Sequence, residues 1–457
     1  MDSTEALIAR LASTVSGAVI TPEQAEEYAV ARLTEASHPD VRPLAIVRAR
    51  DVADVRAVVD AARGSGTVLA VRGGGHSAAA HGTVEGGLVL DLSGLRGLSI
   101  DPDSRTARAG AGLTAGDYVR AAGEHGLATG FGDTAAVGIA GITLGGGVGL
   151  LSRRYGLTID ALLSAEVVTA DGRVREVDAD REPDLFWALR GGGGNLGVVT
   201  AMTFRLDDVS QTTGGPLVLP ATPDVLAGFL AAAGRAPREL TTIATLMPCP
   251  PVPFVATEHH GSPVLFGTLV HVGPPEEAEQ AIAAFRALAT PLADLIRPAP
   301  YADLLGWEEI PRMTFVSRTN FLERVDEQLA ADVIRAVADG PGPTRLVQLR
   351  VLGGAISDPA EDATAFGFRD RSMVSYLSCM ATGPDTLAEA TQWADDLLAA
   401  LDQGDRAAYV NFLGSPGPVA PADAYPPATW ERLRAVKAAY DPGNLFRHNH
   451  NIPPATG

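Results

Sequence analysis

Three glycine-rich segments in the first half of the chain limit what it can fold into more than any other feature. The first is Val71-Arg72-Gly73-Gly74-Gly75-His76-Ser77, entered from an apolar run, Val68 to Val71, that reads as a buried strand. Its glycines clear the turn of side chains, so the backbone can take left-handed angles and approach a ligand closely. Successive backbone N–H groups in such a turn form a concave nest suited to a pyrophosphate. Arg72 contributes a fork of donors, and His76 is the one nucleophilic side chain. Taken alone, these residues read equally well as a tight strand-to-loop turn with a solvated histidine.

The second segment runs from Gly141 to Gly149 (GITLGGGVG) and continues into LLSRRYG, Leu150–Gly156; the third is DLFWALRGGGGNLGVVT, Asp184–Thr200. Three such clusters in one alternating α/β region imply a long, bent, phosphate-containing ligand touched by several loops. None has the GxGxxG spacing of a Rossmann turn or a P-loop GK[ST]. HExxH, paired CxxC and nucleophile-elbow motifs are lacking as well, so metal and acyl-transfer chemistry find no support and no metal site is expected.

With these segments in view, the chain resembles the FAD-linked oxidases of the vanillyl-alcohol oxidase and p-cresol methylhydroxylase superfamily, in the berberine bridge enzyme-like branch. The resemblance rests on RGGGHS (Arg72–Ser77), VGIAGITLGGGVGLLSRRYGL (Val137–Leu157) and DLFWALRGGGGNLGVVT (Asp184–Thr200). Near the end, YVNF (Tyr409–Phe412) and YDPGNLFRHN (Tyr440–Asn449) match as well. It implies an α+β, two-domain FAD-binding fold of the p-cresol methylhydroxylase type, with an antiparallel-sheet substrate domain covered by helices. The FAD-binding domain is expected over residues 1–206 (core about 39–206) and the substrate domain over 207–405. Residues 406–457 are expected to return to the first domain.

The resemblance also implies the chemistry. The imidazole at the His76 position is bonded in relatives to the 8α carbon of FAD. Many relatives carry a second link from a cysteine to flavin C6. Here the corresponding stretch is GDTAAVG, Gly132–Gly138, with Thr134 in the cysteine position, so a single tether is expected. Asp133 is expected beside the ring, and Val137 at the position that gates oxygen. Gly138, Gly141, Gly145, Gly146, Gly149, Gly197 and Val199 are expected at the cofactor, with Asn449 and Asn451 at the isoalloxazine edge. Tyr409-Val410-Asn411 matches the family's YxN motif. Its period of two would place Tyr409, the candidate base, and Asn411 on one face of a strand. Tyr376 is a further catalytic candidate, and Gln348, Arg350 and Met373 are candidate substrate contacts. The expected activity is oxidation of a C–OH or C–N bond of a small or natural-product molecule, with O2 reduced to H2O2. A dehydrogenase using another acceptor, and a non-redox cyclase or binding scaffold on the same fold, stay open.

Composition narrows the setting. A chain of 457 residues exceeds one ordinary core. A net charge of −19 disfavours nucleic acid and anionic membrane as partners, since both would repel such a surface. The two cysteines, Cys249 and Cys379, indicate no disulfide framework. Met1 to Arg10 lacks an apolar signal core, and no run approaches a membrane span, so a cytoplasmic location is expected. Oligomeric state is not legible.

Overall fold

The computed structural model describes residues 4–35, 40–306, 314–342, 344–414 and 416–456. The segment carrying the first glycine turn is a four-stranded sheet. Its strands lie in the order Ala18–Ile20, Ala45–Arg48, Leu88–Asp91, Leu69–Arg72, and the last three are parallel. Both faces are covered, as parallel sheets require. Ala45, Val47, Leu88 and Leu90 pack with Val55, Val58, Val59 and Ala62 of helix Val52–Ser65. Ile46, Val89 and Ala70 pack with Ile20 and Tyr28. Asp51 caps that helix by accepting the Asp54 N–H at 3.0 Å, and Gly66 ends it at φ 73°. In the sequence, residues up to about 38 read as two short helices; the structure has Thr4–Thr14 and Ala25–Ala31, and the expected end lies outside the described residues.

A five-stranded antiparallel sheet follows, in the order Leu98–Asp101, Thr106–Gly110, Val198–Arg205, Leu162–Val168, Val174–Asp178. Ala170-Asp171-Gly172-Arg173 between two β-rich runs reads as a hairpin turn, and that hairpin forms the sheet's edge. The third sheet is the largest. Its main path runs Ala293–Asp294, Thr212–Pro220, Pro263–Val272, Leu240–Pro248, Arg345–Val351, Met373–Ala381, Thr314–Arg318, all antiparallel. Helices Pro223–Arg235, Pro275–Arg286, Glu327–Asp339 and Pro384–Ala400 are its helical companions. Side chains of the first three share its buried core, with Leu397 from the fourth. The sequence reads as helical from Glu323 to Ala338, but the helix begins at Glu327 because Asp326 caps it, accepting the Leu329 N–H at 2.9 Å.

The polar stretch Asp207–Gly215 reads in the sequence as a plain boundary between the two expected domains, and the structure differs. A strand starts inside it at Thr212 and runs through Gly214 and Gly215. The glycines are there for close approach rather than for a turn: a Cβ on Gly215 would stand 2.6 Å from the Leu295 carbonyl oxygen.

Buried cations join the glycine-rich half to the large sheet. Arg153 donates to the carbonyls of Leu240 at 3.0 Å and Ala236 at 2.8 Å, and also to that of Leu352. Arg369 pairs with Asp160 at 2.7 Å. The C-terminal segment is held by Lys437, which has no solvent exposure and meets Asp441 at 2.7 Å. Its ammonium also donates to the carbonyls of Asn195 at 2.6 Å and Phe446 at 2.9 Å. Burial pushes the Lys437 pKa down, while Asp441 pulls it back. Among the described residues no helix is long and apolar enough to cross a membrane. Asp441→Ala would strand the buried ammonium and is expected to cost about 3–5 kcal/mol of stability. Urea or thermal unfolding measures this; a shift within error would show that the carbonyls suffice to hold the charge.

Candidate active site

A cavity of about 660 Å3 opens between the glycine loops and the large sheet. That size lies within the ~300–1,000 Å3 usual for small-molecule and cofactor sites. Its floor comes from the segments at Arg72–Ser77, Gly132–Gly138 and Gly193–Val199 and from the short helix Ile139–Leu144. Two of these segments touch backbone to backbone: a Cβ on Gly74 would stand 2.2 Å from the Gly138 nitrogen. Neither position admits a side chain.

The floor fits a dinucleotide. Gly141 and Gly194 line the cavity, and a Cβ on either would meet no atom within 4 Å, so bare backbone faces the space. The Asn449 side-chain oxygen is buried beside the cavity, has no hydrogen-bond partner among the described residues and offers an acceptor to a ligand N–H. Arg72 lines the cavity too, but its guanidinium is committed. It pairs with Asp91 at 3.0 Å, both side chains buried, and donates to the Leu33 carbonyl at 3.4 Å. Burial works to raise the Asp91 pKa, but Arg72 and the Ser93 hydrogen bonds leave it below the usual value. His76 faces the same space. Burial lowers its pKa against the field of Glu35 and a hydrogen bond to the Ala136 backbone, so the ring is neutral at pH 7.

At the far end, Tyr409 is buried with its hydroxyl oxygen accepting three N–H bonds. The donors are Gly147 at 2.9 Å, Val148 at 3.2 Å and the Asn411 amide at 2.9 Å. Asn411 also donates to the Ile142 carbonyl at 3.0 Å, which fixes the amide's orientation. Burial raises the Tyr409 pKa, opposed by these three donors and by Arg350.

The roof is the large sheet, and its alternation decides what faces the cavity. Leu346, Gln348 and Arg350 point in, as do Tyr376, Ser378 and Met380 of the neighbouring strand. Val347, Leu349 and Val351, with Met373 and Leu377, point to the helices. Arg350 reaches down to Asp133 at 2.9 Å and to the Gln348 side-chain oxygen at 2.8 Å, and lies 4.9 Å from the centre of the Phe412 ring. Tyr376 packs against that ring from 4.7 Å.

Most residues singled out in the sequence line this cavity: Gly73, Gly75, Ser77, Thr134, Val137, Gly197 and Val199 join those already placed. Five do not. Met373 is turned into the helix-covered core, opposite Tyr376. Gly145, Gly146 and Gly149 are glycines for packing. A Cβ on Gly145 would stand 2.0 Å from the Asn411 side-chain oxygen, one on Gly146 3.3 Å from the Tyr409 ring, and one on Gly149 2.4 Å from Gly132. Asn451 is not a wall residue, and its side-chain oxygen is buried without a partner among the described residues. Tyr409 and Asn411 do not share a strand either. Val410–Phe412 is a 3-10 turn, and the two side chains converge through its curvature.

Other wall residues escaped the sequence reading. His81, His448 and His450 cluster there, with ring centres 4.6 Å apart for His81 and His450 and 5.8 Å for His81 and His448. Burial drives His81 to about 3 and His450 to about 4, so both are uncharged at pH 7. The alternation of His448-Asn449-His450 was the available signal. Glu35 also lines the cavity, whereas Cys249 and Cys379 are buried away from it. Among the described residues no group of side chains could hold a metal ion.

Comparison with known proteins agrees with this geometry. Residues 43–178 match the family described as FAD binding domain, and residues 408–453 the family described as berberine and berberine like. The (R)-6-hydroxynicotine oxidase of Paenarthrobacter nicotinovorans is 32% identical over 456 residues, covering 96% of this chain and 97% of that protein. An FAD-linked oxidoreductase of Bacillus subtilis is 28% identical, covering 96% and 97%. The crystal structure of 6-hydroxy-D-nicotine oxidase from Arthrobacter nicotinovorans superposes with a TM-score of 0.84 at 27% identity, over 96% of this chain and 98% of that one. A BBE-like protein of Physcomitrella patens shares the fold, with a TM-score of 0.87 at 24% identity over 99% and 100%. Floor, roof and relatives converge: the chain belongs to the berberine bridge enzyme-like family of FAD-linked oxidases and is an FAD-dependent oxidoreductase.

Proposed function

We propose that this enzyme is an oxidase that holds FAD through one covalent bond, from His76, and oxidises a C–OH or C–N bond of a small, uncharged molecule. The observation that carries the reading is the placement of two groups on one cavity wall: a neutral imidazole in the glycine floor, and a phenol oxygen that receives three N–H donors. When bound, FAD supplies the two-electron acceptor and passes the electrons to dioxygen.

The chain's own residues do the rest. The glycine loops bind the dinucleotide through backbone, and Asn449 meets its polar edge. Tyr409 takes the proton of the substrate O–H or N–H as the carbon is oxidised. Gly147, Val148 and Asn411 stabilise the charge that its oxygen carries when deprotonated. Gln348 and Tyr376 orient the substrate from the roof. Asp133 and Arg350 neutralise one another, which favours an uncharged substrate over a carboxylate or an ammonium. Thr134 carries no thiol for a second link, so the flavin hangs from one bond. Val137, a small aliphatic side chain on the cavity wall, leaves room for dioxygen.

Acid precipitation separates bound from linked flavin. The yellow chromophore is expected to stay with the protein and, after digestion, with the peptide bearing His76; His76→Ala is expected to release it. Flavin left wholly in the supernatant of the wild type would overturn the tether. At air saturation each turnover is expected to yield one H2O2, and electron transfer only to an added acceptor would make the enzyme a dehydrogenase. Tyr409→Phe is expected to lower kcat/KM by about 10²–10⁴-fold. Because burial raises the phenol's pKa and the base form is the deprotonated one, wild-type kcat/KM is expected to climb with pH above neutrality. A climb of equal size in Tyr409→Phe would assign the base elsewhere.

A further inference from the structure

Glu35 lines the cavity and has no part in the reading above. The segment that carries it lies along the loop of His76. Its backbone N–H donates to the Gly75 carbonyl at 3.2 Å, and the Leu33 carbonyl accepts from Arg72 at 3.4 Å. One carboxylate oxygen, Oε2, is buried and has no hydrogen-bond partner among the described residues. Such an oxygen is costly to bury unless a positive charge or a donor comes to meet it. The phosphates of a dinucleotide would be repelled by it. The imidazole of His76 is different, because it gains a positive charge when one ring nitrogen forms a bond while the other keeps its proton.

We propose that Glu35 is the positioning residue for covalent attachment of FAD, the counter-ion that stabilises the His76 ring as its bond to the 8α carbon forms. The proposal rests on the reading of His76 as the tether. In that step an imidazole nitrogen bonds to the 8α carbon, and one C–H bond of that methyl and the imidazole N–H are lost. The two electrons and two hydrogens pass to the ring system and then to dioxygen, which leaves as hydrogen peroxide. Glu35 acts where charge builds up, on the ring, and does not touch the carbon. Its field already opposes the loss of the His76 proton that burial favours. A carboxylate at this place therefore speeds linkage without being needed to bind the cofactor.

Full-length protein made in riboflavin-starved cells and then mixed with FAD tests this. The mass of the His76 peptide follows linkage with time, and quenching of flavin fluorescence gives the affinity for FAD before the bond forms. Glu35→Gln is expected to slow linkage by about 10²-fold with the affinity unchanged, and Glu35→Asp to recover part of the rate. Linkage in Glu35→Gln at the wild-type rate would overturn this role alone. So would a fall in FAD affinity as large as the fall in rate, since Glu35 would then be a binding residue. Wild-type protein that never links FAD would sink the tether reading itself, and this role with it.

Discussion

The Tyr409 end of the cavity depends on two side chains filling the space that two glycines leave open. Asn411 lies where a Cβ of Gly145 would be, and the Tyr409 ring stands against Gly146. Gly146 and Gly147 have φ of 128° and 82°, conformations costly for other residues, and the loop so bent turns the Gly147 and Val148 N–H groups onto the phenol oxygen. The oxygen is thus held by backbone, whose donors cannot swing away. A small side chain at Gly145 would displace Asn411 and with it one of the three donors.

Above this point the large sheet serves two masters through its pleat. One set of alternate residues, Val347, Leu349, Val351, Met373 and Leu377, builds the core under the helices; the other faces the cavity. The roof is therefore as rigid as the core it shares strands with. Arg350 extends from it to Asp133 on the floor, and the pair spans the cavity without leaving net charge. Because Arg350 also holds Gln348 and lies against Phe412, which in turn packs on Tyr409 at 4.9 Å, roof, floor and phenol are in one contact network.

Much of this was legible in the sequence. The glycine turn at Arg72–Ser77, the helix start that Asp51 signals ahead of Val52, Val55, Val58 and Val59, and the hairpin at Ala170–Arg173 follow from local chemistry that tertiary contacts had no reason to override. The glycine run at Gly145–Gly149 was harder. A glycine that admits a ligand and one that admits a neighbouring side chain look the same in a string, and only the fold brings Asn411 to Gly145. Met373 shows the limit of periodicity, which says which residues share a face but not which face is the roof. The sequence offers Arg72 as a fork of donors at the glycine turn but does not reveal its partner, Asp91, which lies on the adjacent parallel strand in register with it. The histidines at 81, 448 and 450 meet across the whole length of the chain, and no local pattern announces such a meeting.

The clasp of Lys437 with Asp441 has a consequence for the order of events in the cell. It brings Phe446, His448, Asn449 and His450 against the third glycine loop, so that part of the wall is translated after every other part of it. Until those residues have emerged and folded back, the growing chain lacks that side of the cavity. A complete cleft for the dinucleotide therefore waits on this segment reaching the third glycine loop.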